Sequence, residues 1–336
     1  MAGTVTPLGT ATSAAGSRIL GVGAYRPGRV VPNDELVPLI DSSDEWIRRH
    51  SGIVTRRFAD AEETVVAMAV AASLKALAQS GVAAEDIDLV LLATMSHLEQ
   101  SPAAAPQVAH QAGAAAAAAM DVSAACAGFV HSLALADGLI RTGACRHVLV
   151  AGSERMSDIV DPRDRATAFL FGDGAGAAVV GRSDTPGIGP VVWGADGGQK
   201  ETITHSASWL ELRDGATPWP TLRMNGPAVY RWAIGLVPDL CRRALAAAGT
   251  SPSQLGAFIP HQANLRIVES AAAALGLPPH VAVARDVVDT GNTSAASIPM
   301  AMERMLAQGR AGSGDLALLA GFGAGLNHGA LVVALP

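Results

Sequence analysis

The chain has 336 residues, a formal net charge of −6, 49% hydrophobic residues and only 16% charged residues. This composition predicts a folded protein with a large core, and the acidic balance argues against a general nucleic-acid-binding protein. Three scattered cysteines form neither a disulfide framework nor a metal-ligand pattern. Residues 1–17 carry no charge, which predicts a flexible extension rather than a signal peptide. No apolar run is long enough to span a membrane, so we expect a cytoplasmic protein.

Helical and strand patterns alternate along the first half of the chain. The sequence predicts a helix start over 41–47 with Ser42 or Ser43 as the N-cap, an amphipathic helix over 63–79, and strands over 19–23, 88–94, 147–151 and 177–180. The alanines over 114–119 are interpreted as a tightly packed connector. Residues 183–225 hold much of the Gly, Pro and Trp with little periodicity, so we interpret them as the joint between two halves together with a loop region.

The pattern of the first half then repeats. The stretch ALAQSG, which ends at Gly81, is similar to ALAAAG, which ends at Gly249, and each precedes a predicted strand. FGDGAG over 171–176 is similar to FGAGL over 322–326, and each again precedes an apolar strand. Repeated helix-then-strand units predict an internal duplication in a layered α/β architecture, with a site at the seam of the two halves.

The segment DVSAACAGF over 121–129 delivers a single cysteine to the start of an apolar helical pattern. This pattern places Cys126 in the first turn of a helix, where unpaired N–H groups and the helix dipole favour a thiolate. An unperturbed thiol is only about 3% ionised at pH 7, so a pKa lowered to about 7 would make Cys126 a nucleophile. A lone cysteine in an alanine-rich run is also typical of an inert buried residue, and this segment alone leaves both interpretations open.

Three polar or glycine-rich stretches interrupt the second half. They are IPHQAN over 259–264 at a strand end, DTGNTS over 289–294 before a helix over 295–306, and GFGAG over 321–325 after a strand over 315–320. Loops at strand ends and helix starts commonly carry chemistry. Taken singly, each stretch also has an ordinary structural explanation: a satisfied loop histidine, an N-cap cluster and a tight turn.

Together with the Cys126 segment, these stretches resemble the β-ketoacyl-acyl-carrier-protein synthase III family. The resemblance covers roughly residues 18–335 and rests on SDEWI over 43–47, SAACAGF over 123–129, FGDGAG over 171–176, HQAN over 261–264 and GNTS over 291–294. It implies a thiolase-type α/β fold of five layers, α-β-α-β-α, built from two similar halves. These would span 18–182, with the nucleophilic cysteine, and 183–336, with a histidine and an asparagine, in a homodimer.

The resemblance implies a decarboxylative Claisen condensation that initiates fatty-acid or type II polyketide chains. Cys126 would take an acyl group from acyl-CoA as a thioester, and His261 and Asn292 would stabilise the enolate formed when malonyl-carrier protein loses CO₂. The backbone N–H groups of Cys126 and Ala324 correspond to the family's oxyanion hole. Acyl-CoA and malonyl-carrier protein are the substrates, and neither a cofactor nor a metal is expected.

Further residues correspond to the family's ligand-binding positions. Trp46 and Arg165 match the pair that sandwiches the CoA adenine, Asn264 matches a pantetheine contact, and Phe171 matches an acyl-tunnel residue. Ser101 stands where some relatives place a phenylalanine that closes the partner's acyl pocket, which implies a roomier pocket here.

Two departures from the family pattern concern charge. His50 stands where many relatives carry an arginine near the CoA phosphates. Residues 271–274 lack the lysines that dock the acidic carrier protein in some relatives, so Arg231 and Arg266 are the candidates for that docking surface.

Two other functions compete with the condensing enzyme. One is an acyltransferase that uses Cys126 to acylate a hydroxyl or an amine, which the intact Asn292 and the GNTS motif disfavour. The other is a non-catalytic partner subunit, which the retention of Cys126, His261 and Asn292 disfavours. No residue that we identify specifies the acyl starter, the carrier protein, or a fatty-acid as against a polyketide pathway.

Overall fold

The first half of the chain forms one five-stranded sheet with its covering helices. The computed structural model describes residues 14–336. The elements of this half are β1 (Gly16–Tyr25), β2 (Arg29–Pro32), α1 (Asn33–Ile40), α2 (Asp44–Ser51), β3 (Thr55–Phe58), α3 (Val65–Ser80), β4 (Leu89–Ala93), α4 (Ala104–Gln111), β5 (Ala118–Val122), α5 (Gly128–Arg141), β6 (His147–Arg155) and β7 (Asp173–Ser183).

The second half forms another five-stranded sheet. Its elements are β8 (Val192–Ala195), β9 (Ile203–His205), α6 (Trp209–Arg213), β10 (Leu222–Met224), α7 (Gly226–Ala247), β11 (Leu255–Pro260), α8 (Leu265–Leu275), β12 (Ala282–Val283), α9 (Val287–Thr290), α10 (Ser297–Ala307), β13 (Leu316–Gly323) and β14 (Asn327–Ala334). Two small two-stranded sheets, β2 with β3 and β9 with β10, complete the described part of the chain.

The two large sheets have the same topology. The first has the strand order β5-β4-β6-β7-β1 and the second the order β12-β11-β13-β14-β8. In the first sheet, β4 is parallel to both of its neighbours, and β7 is antiparallel to both of its neighbours. In the second sheet, β11 and β14 repeat those two relationships. This match confirms the duplication that the repeated sequence patterns predict.

The helices and sheets stack in the expected five layers. Helices α3 and α4 cover the outer face of the first sheet, and α7 and α8 pack together on the second sheet. Between the sheets lie α5, which contacts β6 and β13, and α10, which contacts β7 and β11. Because each sheet is covered on both faces, its central strands contain long apolar runs, and all five residues of β4 are buried.

Most predicted elements are confirmed, with boundaries shifted by a few residues. Ser43 is the N-cap of α2, since its hydroxyl accepts a hydrogen bond from the Trp46 N–H at 3.1 Å. The predicted extension over 1–17 is too long at its end, because β1 begins at Gly16 and the Ser17 hydroxyl donates to Asp137 Oδ1 at 2.8 Å. Residues 1–13 lie outside the described residues.

Two interpretations of low-periodicity stretches are wrong in part. The alanine stretch 114–119 is not only a connector, since its last two residues begin the edge strand β5. The stretch 183–225, interpreted as a joint with loops, contains β8, which completes the second sheet, as well as β9, α6 and β10. Alanine and glycine give little strand signal, so pairing with neighbouring strands decides these elements.

Candidate active site

Cys126 lies at the seam of the two halves, in a tight turn that joins β5 to α5. Ala125–Ala127 is a 3-10 turn and α5 begins at Gly128, so Cys126 immediately precedes the helix rather than lying in its first turn. The preceding Ala125 has a left-handed backbone with φ 45°. Gly323 passes so close that a Cβ there would lie 2.8 Å from Cys126 Cβ and 3.0 Å from Sγ. Only glycine leaves room for the cysteine at that point.

The equivalent turn of the second half faces Cys126. Ser294–Ala296 is a 3-10 turn that precedes α10, and Ser294 has φ 47°. The Cys126 thiol donates a hydrogen bond to Ser294 Oγ at 3.3 Å, although the two residues are 168 positions apart. The duplicated fold thus brings the first-half cysteine against the loop that carries Asn292.

His261 directly follows β11 and is an uncharged group. Its side chain is buried, and burial lowers its pKa to about 3. The Ser297 hydroxyl lies 2.7 Å from His261 Nδ1 and accepts from the Gln262 N–H at 3.3 Å. We therefore assign the Ser297 hydroxyl proton to Nδ1, which places the single N–H of the neutral imidazole on Nε2. His261 is then a hydrogen-bond donor to the cavity.

Two backbone hydrogen bonds to the segment 170–172 hold Asn292 in place. Its N–H donates to Leu170 O at 2.7 Å, and its carbonyl accepts from the Gly172 N–H at 3.0 Å. The side-chain Oδ1 accepts from the Ser294 N–H at 2.8 Å. Since the amide oxygen is engaged in this turn, the Nδ2 group is the part of the side chain left to donate to a ligand.

The resting thiol of Cys126 is neutral. Burial raises its pKa to about 12, and the negative charge of the buried Glu154 contributes to the rise, although the hydrogen bond to Ser294 opposes it. The expectation of a lowered pKa is therefore wrong. The desolvation of the sulfur outweighs the helix terminus, because Cys126 is only 8% exposed and its hydrogen-bond partner is a neutral hydroxyl.

A cavity of about 540 Å³ opens beside these residues. Cys126, His261 and Asn292 all line it, together with Gly323 and Ala324, the predicted oxyanion position. Apolar side chains form much of its wall: Met95, Phe169, Leu170, Phe171, Ile203, Leu222 and Met224. The structure therefore brings the predicted catalytic residues to one space that fits an extended, largely apolar group.

The lining of the cavity also carries positive charge. Arg165 lies with Cζ 5.3 Å from the Trp46 ring centroid, and the His50 ring stacks on Trp46 at 4.2 Å between centroids. Arg266 lies over Tyr230 at 5.1 Å. Among the described residues that line the cavity, none is Asp or Glu. This arrangement favours an anionic ligand with a flat aromatic group.

Three further predicted binding residues differ in where they lie relative to the cavity. Asn264 lines the cavity, but its side chain caps α8: Oδ1 accepts from the Arg266 N–H at 2.9 Å and Nδ2 donates to His50 O at 3.0 Å. Arg231 is exposed on α7, and Ser101 is exposed before α4. Neither Arg231 nor Ser101 lines the cavity of its own chain.

Sequence reasoning missed several residues of this site. Ile203, Leu222 and Met224 come from the stretch that was interpreted as loop, and no periodic pattern marks them. The buried Glu154 lies near the end of β6, between Ser153 and Arg155, where the sequence gives no signal that this carboxylate is buried.

Comparisons with known proteins agree with this geometry. The family models for 3-oxoacyl-[acyl-carrier-protein] synthase III and for its C-terminal part match residues 120–197 and 245–335. Over 331 residues the chain is 54% identical to β-ketoacyl-[acyl-carrier-protein] synthase III 1 of Streptomyces coelicolor, with 95% of this chain and 96% of that protein covered. The chain belongs to the β-ketoacyl-acyl-carrier-protein synthase III family.

Solved structures of the synthase III family match the whole fold. The priming β-ketosynthase of the R1128 polyketide pathway is 47% identical with a TM-score of 0.96, covering 98% of this chain and 99% of that chain. Synthase III of Pseudomonas aeruginosa is 38% identical with a TM-score of 0.89, covering 96% and 98%. The thiolase-type five-layer fold is thus confirmed. Within residues 14–336, no helix has the length and apolar character to cross a bilayer, and no cluster of His, Cys, Asp or Glu suits a metal ion.

Proposed function

We propose that this synthase condenses an acyl-CoA starter with malonyl-acyl-carrier protein, releasing CO₂ and forming a 3-oxoacyl-carrier protein. The observation that carries the proposal is the convergence of Cys126, His261 and Asn292 on one cavity. Family membership supports an acyl-transferring condensing enzyme that initiates chains, as the names of its relatives state. The alternative, transfer of the acyl group to a hydroxyl or an amine, is not favoured by those relatives.

The first step transfers the acyl group to sulfur. Cys126 Sγ attacks the thioester carbonyl and CoA leaves as the thiol. The tetrahedral oxyanion is stabilised by the backbone N–H groups of Cys126 and Ala324, and the close passage of Gly323 beside Cys126 supports that pairing. One such donor contributes about 3 kcal/mol to stabilisation of the transition state.

The second step forms the carbon–carbon bond. Malonyl-carrier protein binds with its thioester oxygen near His261 Nε2 and Asn292 Nδ2, and CO₂ leaves as the enolate forms. A neutral imidazole suits this task, because it donates a hydrogen bond to the enolate without giving up its proton. The enolate carbon then attacks the Cys126 thioester and expels the sulfur. The largely apolar wall of the cavity favours exclusion of water from both intermediates.

The residues at the cavity mouth fit the two thioester carriers. Trp46 and Arg165 are proposed to hold the CoA adenine, with His50 and Arg266 close to its phosphates, and Asn264 is proposed to adjoin the pantetheine arm. Phe171 is proposed to line the acyl pocket. Arg231 and Arg266, both exposed, are proposed to steer the acidic carrier protein. The reaction needs no resident cofactor, and we propose a cytoplasmic homodimer.

Mass spectrometry of the intact protein tests the two steps separately. The protein is incubated with short, branched and malonyl CoA thioesters, and wild type is expected to gain one acyl mass that Cys126→Ala does not gain. Asn292→Ala is expected to acylate normally and to lose condensation with malonyl-carrier protein by about 100-fold or more, since it lacks an enolate donor. Condensation by Asn292→Ala near the wild-type rate would refute the enolate site, and absence of acylation by every thioester would refute acyl-CoA as the donor.

A further inference from the structure

Glu154 is a buried carboxylate for which the proposed condensation has no use. It lies in β6 with no exposed surface. Its Oε2 accepts four hydrogen bonds from the segment after β4: from Thr94 Oγ1 at 3.1 Å, the Met95 N–H at 3.0 Å, and the N–H and hydroxyl of Ser96 at 3.1 and 2.5 Å. So many donors hold the carboxylate in one orientation.

The other oxygen of Glu154 is much less occupied and points toward the catalytic turn. Oε1 accepts from the Ala295 N–H at 3.4 Å, a long hydrogen bond. Ser294, the residue before Ala295, lies beside the same carboxylate and favours its charged form, and its Oγ accepts from the Cys126 thiol at 3.3 Å. The Ser294 hydroxyl therefore lies between the sulfur of Cys126 and the side of Glu154 whose oxygen has capacity for a proton.

His261 is poorly suited to take the thiol proton. Its Nδ1 is bonded to the Ser297 hydroxyl, and burial lowers its pKa to about 3. The thiol is neutral at rest, so acylation requires a proton acceptor within reach. Burial also raises the pKa of the Glu154 carboxyl, which makes it a stronger base than an exposed carboxylate.

We propose that Glu154 is a positioning residue that acts through Ser294 to take up the proton of the Cys126 thiol during acylation. The proposal rests on Cys126 being the nucleophile of the proposed function. It assigns a proton path to the reaction and gives a chemical role to the strained turn at Ser294, which holds the hydroxyl between sulfur and carboxylate.

The proton and charge balance over the two steps. As Sγ attacks the acyl-CoA carbonyl, the thiol proton moves to Ser294 Oγ and the Ser294 hydroxyl proton moves to Glu154 Oε1. The acyl–S bond to CoA breaks, and the CoA thiolate takes a proton from solvent as it leaves. In the condensation step the enolate carbon displaces Cys126 as a thiolate, and the proton stored on Glu154 returns through Ser294. The buried site then carries one negative charge rather than two.

We call the proposed proton path through Cys126, Ser294 and Glu154 the relay. Other charged groups near the relay have hydrogen-bond or ion-pair partners of their own. Arg155, the next residue in β6, pairs with Asp158 at 3.1 Å and donates to Asp60 O at 2.8 Å. Asp173 on β7 accepts from the Ser157 hydroxyl at 2.6 Å and from the Ala59 N–H at 2.8 Å. On the second half, His261 is held by Ser297 as described. The pH dependence of Cys126 reactivity therefore reports mainly on Glu154.

Alkylation of Cys126 by iodoacetamide tests the relay without any acyl substrate. The rate at Cys126 is followed by peptide mass spectrometry from pH 6 to 9 in wild type, Ser294→Ala and Glu154→Gln. Both variants are expected to react roughly 100-fold more slowly at pH 7. Their rates should then rise about tenfold per pH unit, because hydroxide must remove the proton, whereas the wild-type rate should rise less steeply.

Ser132→Ala is the matched control. Ser132 is a fully buried serine of α5 whose hydroxyl has no hydrogen-bond partner among the described residues, so the wild-type rate and pH profile are expected. Wild-type profiles in Ser294→Ala would overturn the relay, even if Glu154→Gln failed to fold. If wild type is not acylated by any acyl-CoA but the alkylation profiles differ as expected, the proposed function fails and the relay stands. If wild type condenses the acyl group with malonyl-carrier protein but the alkylation profiles of wild type and the two variants coincide, the relay fails and the proposed function stands.

Discussion

At the level of single residues, His261 is expected to make the fold sensitive to acid. Burial lowers its pKa to about 3, whereas an unfolded histidine has a pKa of about 6.5. Between these values the unfolded chain binds a proton that the folded chain excludes. The contribution of His261 to stability is therefore complete above pH 6.5 and is lost as the pH falls, by about 1.4 kcal/mol per pH unit.

The variant His261→Gln tests this dependence. It lacks the titrating group, so its thermal midpoint should fall less than that of wild type between pH 7.5 and 5, measured by circular dichroism. Buried carboxyls with raised pKa values, such as Glu154, are present in both proteins and cancel in the difference. Parallel midpoint curves for the two proteins would contradict a neutral buried imidazole.

The sequence predicted which three residues would meet at one site, but it did not predict their electrostatics. Cys126, His261 and Asn292 each lie in a short motif at a strand end or helix start, and the structure brings them to one cavity. The pKa of Cys126 was predicted in the wrong direction, because its burial comes from Ser294 and Gly323 of the other half. Local sequence describes a residue's neighbours along the chain and not those supplied across the seam.

At the level of elements, Arg56 holds the wall that carries Asn292. This arginine of β3 is fully buried and donates to Val31 O at 3.3 Å, to Asn33 Oδ1 at 2.6 Å and to Phe169 O at 3.0 Å. Phe169 begins the wall segment whose next residue, Leu170, accepts the Asn292 N–H. Arg56 thereby links the small sheet of β2 and β3 to the segment that holds Asn292 in the candidate active site.

Replacing Arg56 by lysine is expected to lower stability by about 2–3 kcal/mol. A lysine ammonium cannot reach the three acceptors in the planar geometry of a guanidinium, so buried oxygens lose their donors. Arg29→Lys in β2 is the control, because its ion pair with Glu35 is about half exposed on both sides and should change stability by less than about 0.5 kcal/mol. Chemical denaturation of the three proteins measures the difference. Equal losses in both variants would show that Arg56 does not hold the wall.

Elements with a strong pattern were predicted well and elements made of small residues were not. α3 and β4 follow a helical period and an apolar run, and both were predicted within a few residues. β5 begins with two alanines and was interpreted as part of a connector. Its strand conformation depends on pairing with β4 from Leu89 to Ala93, which a local pattern does not reveal.

At the level of the whole molecule, the duplication accounts for both the architecture and the site. Each half alone has a sheet with a turn before its central helix, and only the two together place Cys126 opposite Ser294. The repeated motifs predicted this duplication because the same helix ends recur: Gly81 and Gly249 follow equivalent helices, with φ values of 70° and 62°. The strand order within each half required the structure.

The edge strand β5 supplies the physical basis for the proposed homodimer. It lies at the end of the first sheet, and its Met120 is 48% exposed. Open edges with apolar side chains favour pairing with another strand. The Asp121 carboxylate accepts from the N–H groups of Ala104 and Ala105 at 3.0 and 2.8 Å, so the loop with Ser101 is fastened to this edge. A dimer formed through β5 would place Ser101 at the interface, as its proposed role at the partner's pocket requires.

Met120→Lys is expected to weaken that dimer. Light scattering after size exclusion should give wild type a mass near twice the chain mass of 34.1 kDa and shift the variant toward the single-chain value at micromolar concentration, because lysine places a charge at the strand edge. Leu74→Lys is the matched control, since Leu74 is equally exposed at 48% but lies on the outer helix α3, and it should keep the wild-type mass. A wild type of single-chain mass would refute the homodimer, whereas a Met120→Lys protein of unchanged mass would exclude β5 as the interface and remove Ser101 from the neighbouring pocket.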